Sequence, residues 1–174
     1  MKKKYIIIFF VLAAAGLYAS ESNALFHASA RGDIKTIESL LSSGADINMR
    51  GSGGMTPLEI AVINGNVVSV RYLIKKGANI NLKDNMGMTP LMQAADDGAL
   101  QMVEILVNGG ADLNAVNISG LTALMFAAEN GKLDVVKFLV SRGANRNARS
   151  ISGFTAAELS KGKNHSEVYE YLVK

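Results

Sequence analysis

The stretch that decides the fold is residues 89–112, which read TPLMQAADDGALQMVEILVNGGAD. Its closing tripeptide, Gly110-Ala111-Asp112, has three counterparts at intervals of 33 residues: Gly44-Ala45-Asp46, Gly77-Ala78-Asn79 and Gly143-Ala144-Asn145. Four copies in one register indicate a structural unit that has been repeated along the chain. Repeated units stack on their neighbours and form an extended surface, so the spacing predicts a binding surface rather than an enclosed pocket.

Each unit contains two predicted helices. In the quoted stretch, Thr89 can cap a helix, Pro90 suits its first position, and Gly98 can end it in the left-handed conformation. A second apolar stretch follows and ends at Gly109-Gly110. Helices of about 10 residues are not stable alone in water, so we expect successive pairs to stack on one another. The same 33-residue interval relates further positions: Thr56, Thr89, Thr122 and Thr155; Gly32, Gly65, Gly98 and Gly131; Leu40, Leu73, Leu106, Leu139 and Leu172.

The unit G-x-T-P-L-x-x-A-x-x-x-G, followed by an apolar stretch and G-A-D/N-x-N, resembles the ankyrin repeat. The resemblance covers residues 23–174. It implies an all-α ankyrin-repeat solenoid of about five 33-residue helix-turn-helix repeats joined by β-hairpin loops. The implied repeats span about residues 20–50, 51–83, 84–116, 117–149 and 150–174.

The chain departs from the family at one position of the unit. A His usually follows Thr-Pro-Leu in the family and makes structural hydrogen bonds there. We expect its replacement to affect local stability and not the fold. The residues at this position are Glu59, Met92, Met125 and Glu158.

The first 19 residues differ from the rest of the chain. Lys2-Lys3-Lys4 precede an uncharged apolar run, residues 5–19, that ends in small residues, which is typical of a secretory signal peptide. We expect cleavage after Ala19 and a domain that begins at residue 20. As a helix the run would be about 22 Å long, shorter than the roughly 30 Å hydrocarbon core of a membrane, so an uncleaved membrane anchor is the alternative. The chain has no cysteine, which suits an exported bacterial protein, periplasmic or secreted, without disulfides.

The charge balance argues against nucleic acid as a partner. Of the 18 basic residues, three lie at Lys2, Lys3 and Lys4, which leaves 15 basic against 15 acidic residues from residue 20 onward. A neutral domain lacks the basic surface expected of a nucleic-acid-binding protein.

Candidates for chemistry are few. His27 and His165 fall at opposite ends of the predicted stack, too far apart to share a metal ion or a catalytic triad. Asp96-Asp97 is the sharpest acidic feature, and a calcium ion there would need further oxygen ligands, for which Glu129-Asn130 in the next repeat is the candidate. We therefore predict no catalytic, cofactor-binding or metal-binding residue and no small-molecule substrate. A metal-dependent enzyme is the least favoured alternative, and Asp96-Asp97 is interpreted either as a solvated helix end or as a contact for a basic partner.

The resemblance also implies where a partner protein binds. Ankyrin repeats usually bind through their hairpin tips and the exposed side of the first helix of each repeat, which together form a concave groove. We expect a monomeric, non-catalytic protein-binding module; the alternatives are an effector acting on a host protein and a membrane-tethered scaffold. The implied protein-binding residues are Ser52, Met55, Asn64, Asn85, Met86, Met88, Asp96, Asp97, Ile118, Leu121, Glu129, Asn130, Ile151 and Phe154.

Overall fold

A computed structural model describes residues 24–174 of the chain. The predicted signal peptide lies outside the described residues. Within residues 24–174, no helix is both long and apolar enough to cross a membrane.

The described residues form ten α-helices, and consecutive helices make five pairs. A 3-10 turn at Ser52–Gly54 precedes the second pair. No residue between 24 and 174 lies in a β-strand. The helices are α1 (24–31), α2 (Ile34–Ser42), α3 (Pro57–Ile63), α4 (Val67–Lys75), α5 (Pro90–Asp97), α6 (Leu100–Asn108), α7 (Ala123–Glu129), α8 (Leu133–Ser141), α9 (Ala156–Gly162) and α10 (Ser166–Val173).

Helix ends follow the repeated capping residues of the sequence. The Thr89 side chain accepts a hydrogen bond from the N–H of Met92 at the start of α5, and Pro90 occupies the first turn. Gly98 ends this helix with φ of 75°, in the left-handed region that glycine adopts without steric cost. In the last pair, Asn164 takes the place of this glycine and has φ of 64°, a conformation that asparagine tolerates better than most residues.

The helices stack in two layers around a continuous core. The first helices of each pair, α3, α5, α7 and α9, pack side by side, and α8 packs against both α6 and α10 in the second layer. The repeated leucines Leu73, Leu106 and Leu139 have no exposed surface and lie between the layers. Each helix pair therefore buries its apolar side against its neighbours, as the short helices require.

Stacked turns, rather than strand pairs, connect one helix pair to the next. The N–H of Asp84 donates to the carbonyl oxygen of Met88 at 2.9 Å and closes one such turn. Consecutive turns are joined by single bonds, such as that from the N–H of Ile118 to the carbonyl oxygen of Met86 at 3.2 Å. A Cβ atom at Gly120 would lie 2.8 Å from the backbone nitrogen of Ile151, so a larger residue would separate two turns. The expected β-hairpins are thus not confirmed as strands.

At the position usually held by His, the side chain accepts a hydrogen bond from the backbone N–H of the threonine that caps the helix. The expected effect on local stability stays a prediction. The N–H of Thr56 donates to Oε2 of Glu59 at 2.7 Å, and the N–H of Thr155 donates to Oε2 of Glu158 at the same distance. In α5 and α7 the acceptors are the Met92 and Met125 sulfur atoms, each at 3.5 Å from the threonine nitrogen. A carboxylate or a thioether at this position therefore completes the helix cap.

Candidate protein-binding surface

The turns present a row of apolar side chains to solvent. We call these four residues the tip row. They are Met86, Ile118, Ile151 and Phe154, with exposed fractions of 57%, 57%, 78% and 50%. Because the turns are joined by the bonds between Met86 and Ile118 and between Ser119 and Ile151, the row follows the direction of stacking.

Other predicted turn residues are divided between solvent and core. Ser52 and Asn85 are exposed, and the N–H of Asn85 donates to the carbonyl oxygen of Gly53 at 2.8 Å. Met88 and Leu121, in contrast, are half-buried against the core, and the Asn117 side chain donates to the Met88 sulfur at 3.6 Å. Met88 and Leu121 therefore serve mainly to stack the turns, although Phe154, in the same register, remains half exposed.

A carboxylate cluster lies at the C-terminal ends of α5 and α7, the helix ends that are farther from the turns. Asp96 and Asp97 are the last two residues of α5, and Glu129 is the last of α7; we call these three residues the acidic end. The amide nitrogen of Asn130 donates to Oδ1 of Asp96 at 2.7 Å and links the two helix ends. Lys163 lies 3.5 Å from Glu129, whereas no ion pair within residues 24–174 involves Asp96 or Asp97.

The carboxylates of the acidic end repel one another. Partial burial, and then the neighbouring charge of Asp97, raise the pKa of Asp96 above its usual value. Glu129 acts in the same direction, while the bond from Asn130 and the charge of Lys132 oppose the shift. The C-terminus of a helix also carries partial negative charge, which disfavours carboxylates. A positively charged group beside Asp96 and Asp97 would therefore reduce the repulsion within the cluster.

The carboxylates of the acidic end are linked to the next helix by a hydrogen bond. Asn130 and Glu129 lie beside Asp96, as the sequence suggested, but the Asn130 amide is turned towards Asp96 as a hydrogen-bond donor. No group of three or more histidine, cysteine, aspartate or glutamate side chains is arranged to hold a metal ion in the part of the chain that the structure describes. His27 lies exposed on α1, and His165 precedes α10 at the other end of the stack.

The structure adds a third set of residues that the sequence interpretation missed. Between the tip row and the acidic end, α3, α5, α7 and α9 each carry a half-buried residue in the same register; we call this set the floor row. It consists of Ile60, Gln93, Phe126 and Leu159. Helical periodicity could have found it, since Gln93 is three residues before Asp96 and Phe126 three before Glu129, which places each pair on one helix face.

The surface narrows to a cleft near the first helix pair. Ser52, Met55 and Ile60 line this cleft together with Phe26 and His27 of α1, and its volume is about 230 Å³. Asn64, which follows α3, is exposed at the position that Asp97 and Asn130 occupy in the next two pairs, and its side chain donates to the carbonyl oxygen of Ile60 at 2.8 Å. The predicted residues of the second repeat therefore continue the same surface towards the N-terminal end.

The family comparison agrees with this architecture. A family model described as "Ankyrin repeats (3 copies)" matches residues 25–117 and, in a second match, residues 91–174. No curated protein gives a significant match to the chain. Ankyrin repeats are generally protein–protein interaction modules, and the family is typically non-catalytic. Because the two matches together span most of the sequence, this chain belongs to the ankyrin-repeat family.

Proposed function

We propose that this chain is an exported, non-catalytic binding module that holds a partner protein in the groove formed by the tip row, the floor row and the acidic end. The observation that carries the proposal is the tip row, in which four large apolar side chains are at least half exposed on consecutive turns. Contiguous apolar surface bordered by polar residues is typical of protein interaction sites.

The extent of the groove follows from the repeat boundaries that we propose. Five helix pairs support about five repeats, with boundaries near residues 51, 84, 117 and 150. The second to fourth repeats contribute most of the proposed contacts. Besides the floor row, the polar members of the site are Ser52, Asn64, Asn85, Asp96, Asp97, Glu129 and Asn130. The apolar members are Met55, Met86, Met88, Ile118, Leu121, Ile151 and Phe154, of which Met88 and Leu121 are half-buried and contribute mainly by stacking the turns.

Export is supported by the sequence of the first 19 residues. Three lysines followed by a short apolar run favour translocation and removal of the segment, with a periplasmic or secreted domain from residue 20. Mass spectrometry of the protein purified from its own cells tests this. Loss of residues 1–19 is the expected result, whereas an intact N-terminus would favour a membrane-tethered scaffold, and recovery outside the cell would favour an effector.

Site-specific photo-crosslinking tests the groove. A photoreactive residue placed at Ile118 should capture one protein in the expressing cell, and the same residue at Val68 should not. Val68 is the matched control because it is also apolar and 61% exposed, yet lies on α4 in the second layer. The double variant Met86→Asp/Ile151→Asp should abolish the capture. Equal capture from both positions, or capture from Val68 alone, would reject the groove as the binding site.

A further inference from the structure

The dimensions of the groove restrict the shape of its occupant. Helix α5 has eight residues between its N-terminus beside the turns and its C-terminus at Asp97, so it is about 12 Å long at 1.5 Å per residue. An α-helix with its side chains has a diameter of about 10–12 Å. A helix laid along the stack therefore fills the width of the groove and contacts the tip row on one side and the acidic end on the other.

The spacing along the stack restricts the sequence of the occupant. Met86, Ile118 and Ile151 lie in the turns before α5, α7 and α9, which pack directly against one another. Helices in contact lie about 8–10 Å apart, so successive tips are separated by a similar distance. Seven residues of α-helix advance about 10.5 Å. Apolar side chains at every seventh residue of the occupant would thus meet successive tips.

Charge restricts the other side of the occupant. Asp96 and Asp97 have no cationic partner within 4.0 Å in residues 24–174, and they lie at a helix end that disfavours negative charge. Two lysines interact with the acidic end: the charge of Lys132 acts on Asp96, and Lys163 is paired with Glu129. A basic side chain reaching Asp96 and Asp97 would remove the local repulsion.

On the basis of the proposed groove, we infer that the occupant is a basic amphipathic helix with an apolar residue at every seventh position and lysine or arginine on the opposite flank. The apolar flank packs against Met86, Ile118 and Ile151, and the basic flank pairs with Asp96 and Asp97.

A defined peptide tests this inference on the protein as purified from its cells. The probe is a 21-residue helical peptide with leucine at every seventh position and lysine on the opposite flank. One control peptide has the same composition with leucines five residues apart, and a second has glutamate in place of lysine. Fluorescence anisotropy should show binding of the probe that weakens as salt is raised, and at least about tenfold weaker binding of both controls.

Variants locate the binding. Asp96→Asn/Asp97→Asn and Met86→Asp/Ile118→Asp should each weaken the probe by about tenfold or more, while Glu104→Gln and Val68→Asp on the second-layer helices should leave it unchanged. Equal binding of the three peptides, no binding of any, or insensitivity to the acidic variant would overturn the inference. If crosslinking from Ile118 still captures one protein, the groove stands and only the helical, basic character of its occupant is rejected.

Discussion

Glu59 places a carboxylate that is 1% exposed against the backbone N–H of Thr56, with 2.7 Å between Oε2 and the nitrogen. Burial raises the pKa of Glu59, and the charge of Asp84 adds to the shift, while the bonds from Thr56 and the charge of Arg50 oppose it. At the start of α5 and α7, the equivalent N–H groups of Thr89 and Thr122 donate to the sulfur atoms of Met92 and Met125. One chain thus contains both an ionisable and an apolar side chain at the same position of the cap.

We predict that Glu59→Met stabilises the protein by about 1 kcal/mol at neutral pH, since a buried carboxyl group whose ionised form is disfavoured by burial is replaced by an apolar side chain that the site accepts. A raised pKa means that the stability contributed by Glu59 is complete at low pH and is lost as pH rises through the folded-state pKa. The advantage of the variant should therefore shrink as pH falls. Urea unfolding across a pH series measures both effects.

The matched control for that variant is Glu158→Met. The Glu158 carboxylate is exposed, and the bonds to Thr155 lower its pKa. Its stabilising contribution is present at neutral pH and is lost as pH falls through the folded-state pKa, so this variant should lose stability at neutral pH and match the wild type in acid. If the two variants had the same pH dependence, burial would not be the cause of the Glu59 shift.

The helix ends could be predicted from local sequence rules, whereas the contacts between repeats could not. Thr89, Pro90 and Gly98 act through bonds to residues within one turn of helix, so their roles are visible in the sequence. The bond from Asn130 to Asp96 spans 34 residues and depends on side-chain conformations set by stacking. The Met92 cap was missed for a different reason, because a thioether is a weak acceptor that sequence reasoning does not credit.

A row of basic side chains bonds each turn to the next, and Val116 interrupts it. The Arg50 side chain donates to two carbonyl oxygens, that of Gly54 at 2.9 Å and that of Lys83 at 2.7 Å. The Lys83 side chain in turn donates to the carbonyl oxygen of Val116 at 2.8 Å. Arg149 repeats the first of these contacts with Gly153 at 2.6 Å.

We predict that Val116→Arg stabilises the protein by about 0.5–1.5 kcal/mol, because the new side chain can donate to the carbonyl oxygens of Gly120 and Arg149 in the same register. Chemical denaturation measures the gain. Val68→Arg is the control, since that exposed position has no such acceptors and should change stability by less than about 0.5 kcal/mol. Equal effects of the two substitutions would show that added charge, and not the repeated bonds, is responsible.

Asparagine side chains form a second series of bonds between neighbouring repeats. Oδ1 of Asn81 accepts the N–H of Asp112 at 2.8 Å, and its amide donates to the carbonyl oxygen of Gly110 at 3.2 Å. We predict that Asn81→Ala costs about 1–3 kcal/mol, since both bonds between repeats are lost. Asn147 has the same register but no such side-chain bond within residues 24–174, so Asn147→Ala should cost less than about 0.5 kcal/mol. Similar losses in thermal unfolding of the two variants would contradict this role.

Ser69 places a hydroxyl in the core without a hydrogen-bond partner. The side chain has no exposed surface, and its Oγ is unpaired within the described part of the chain. The same position holds Met102, Val135 and Val168 in later helix pairs, all buried. We predict that Ser69→Val stabilises the protein by about 1 kcal/mol, because it removes an unsatisfied buried hydroxyl and adds apolar contact. Guanidinium denaturation measures the change in the free energy of unfolding. Ser39→Val, on the exposed side of α2, is the control and should have little effect. A loss of stability in Ser69→Val would contradict the prediction and show that the site is too small for the added methyl group.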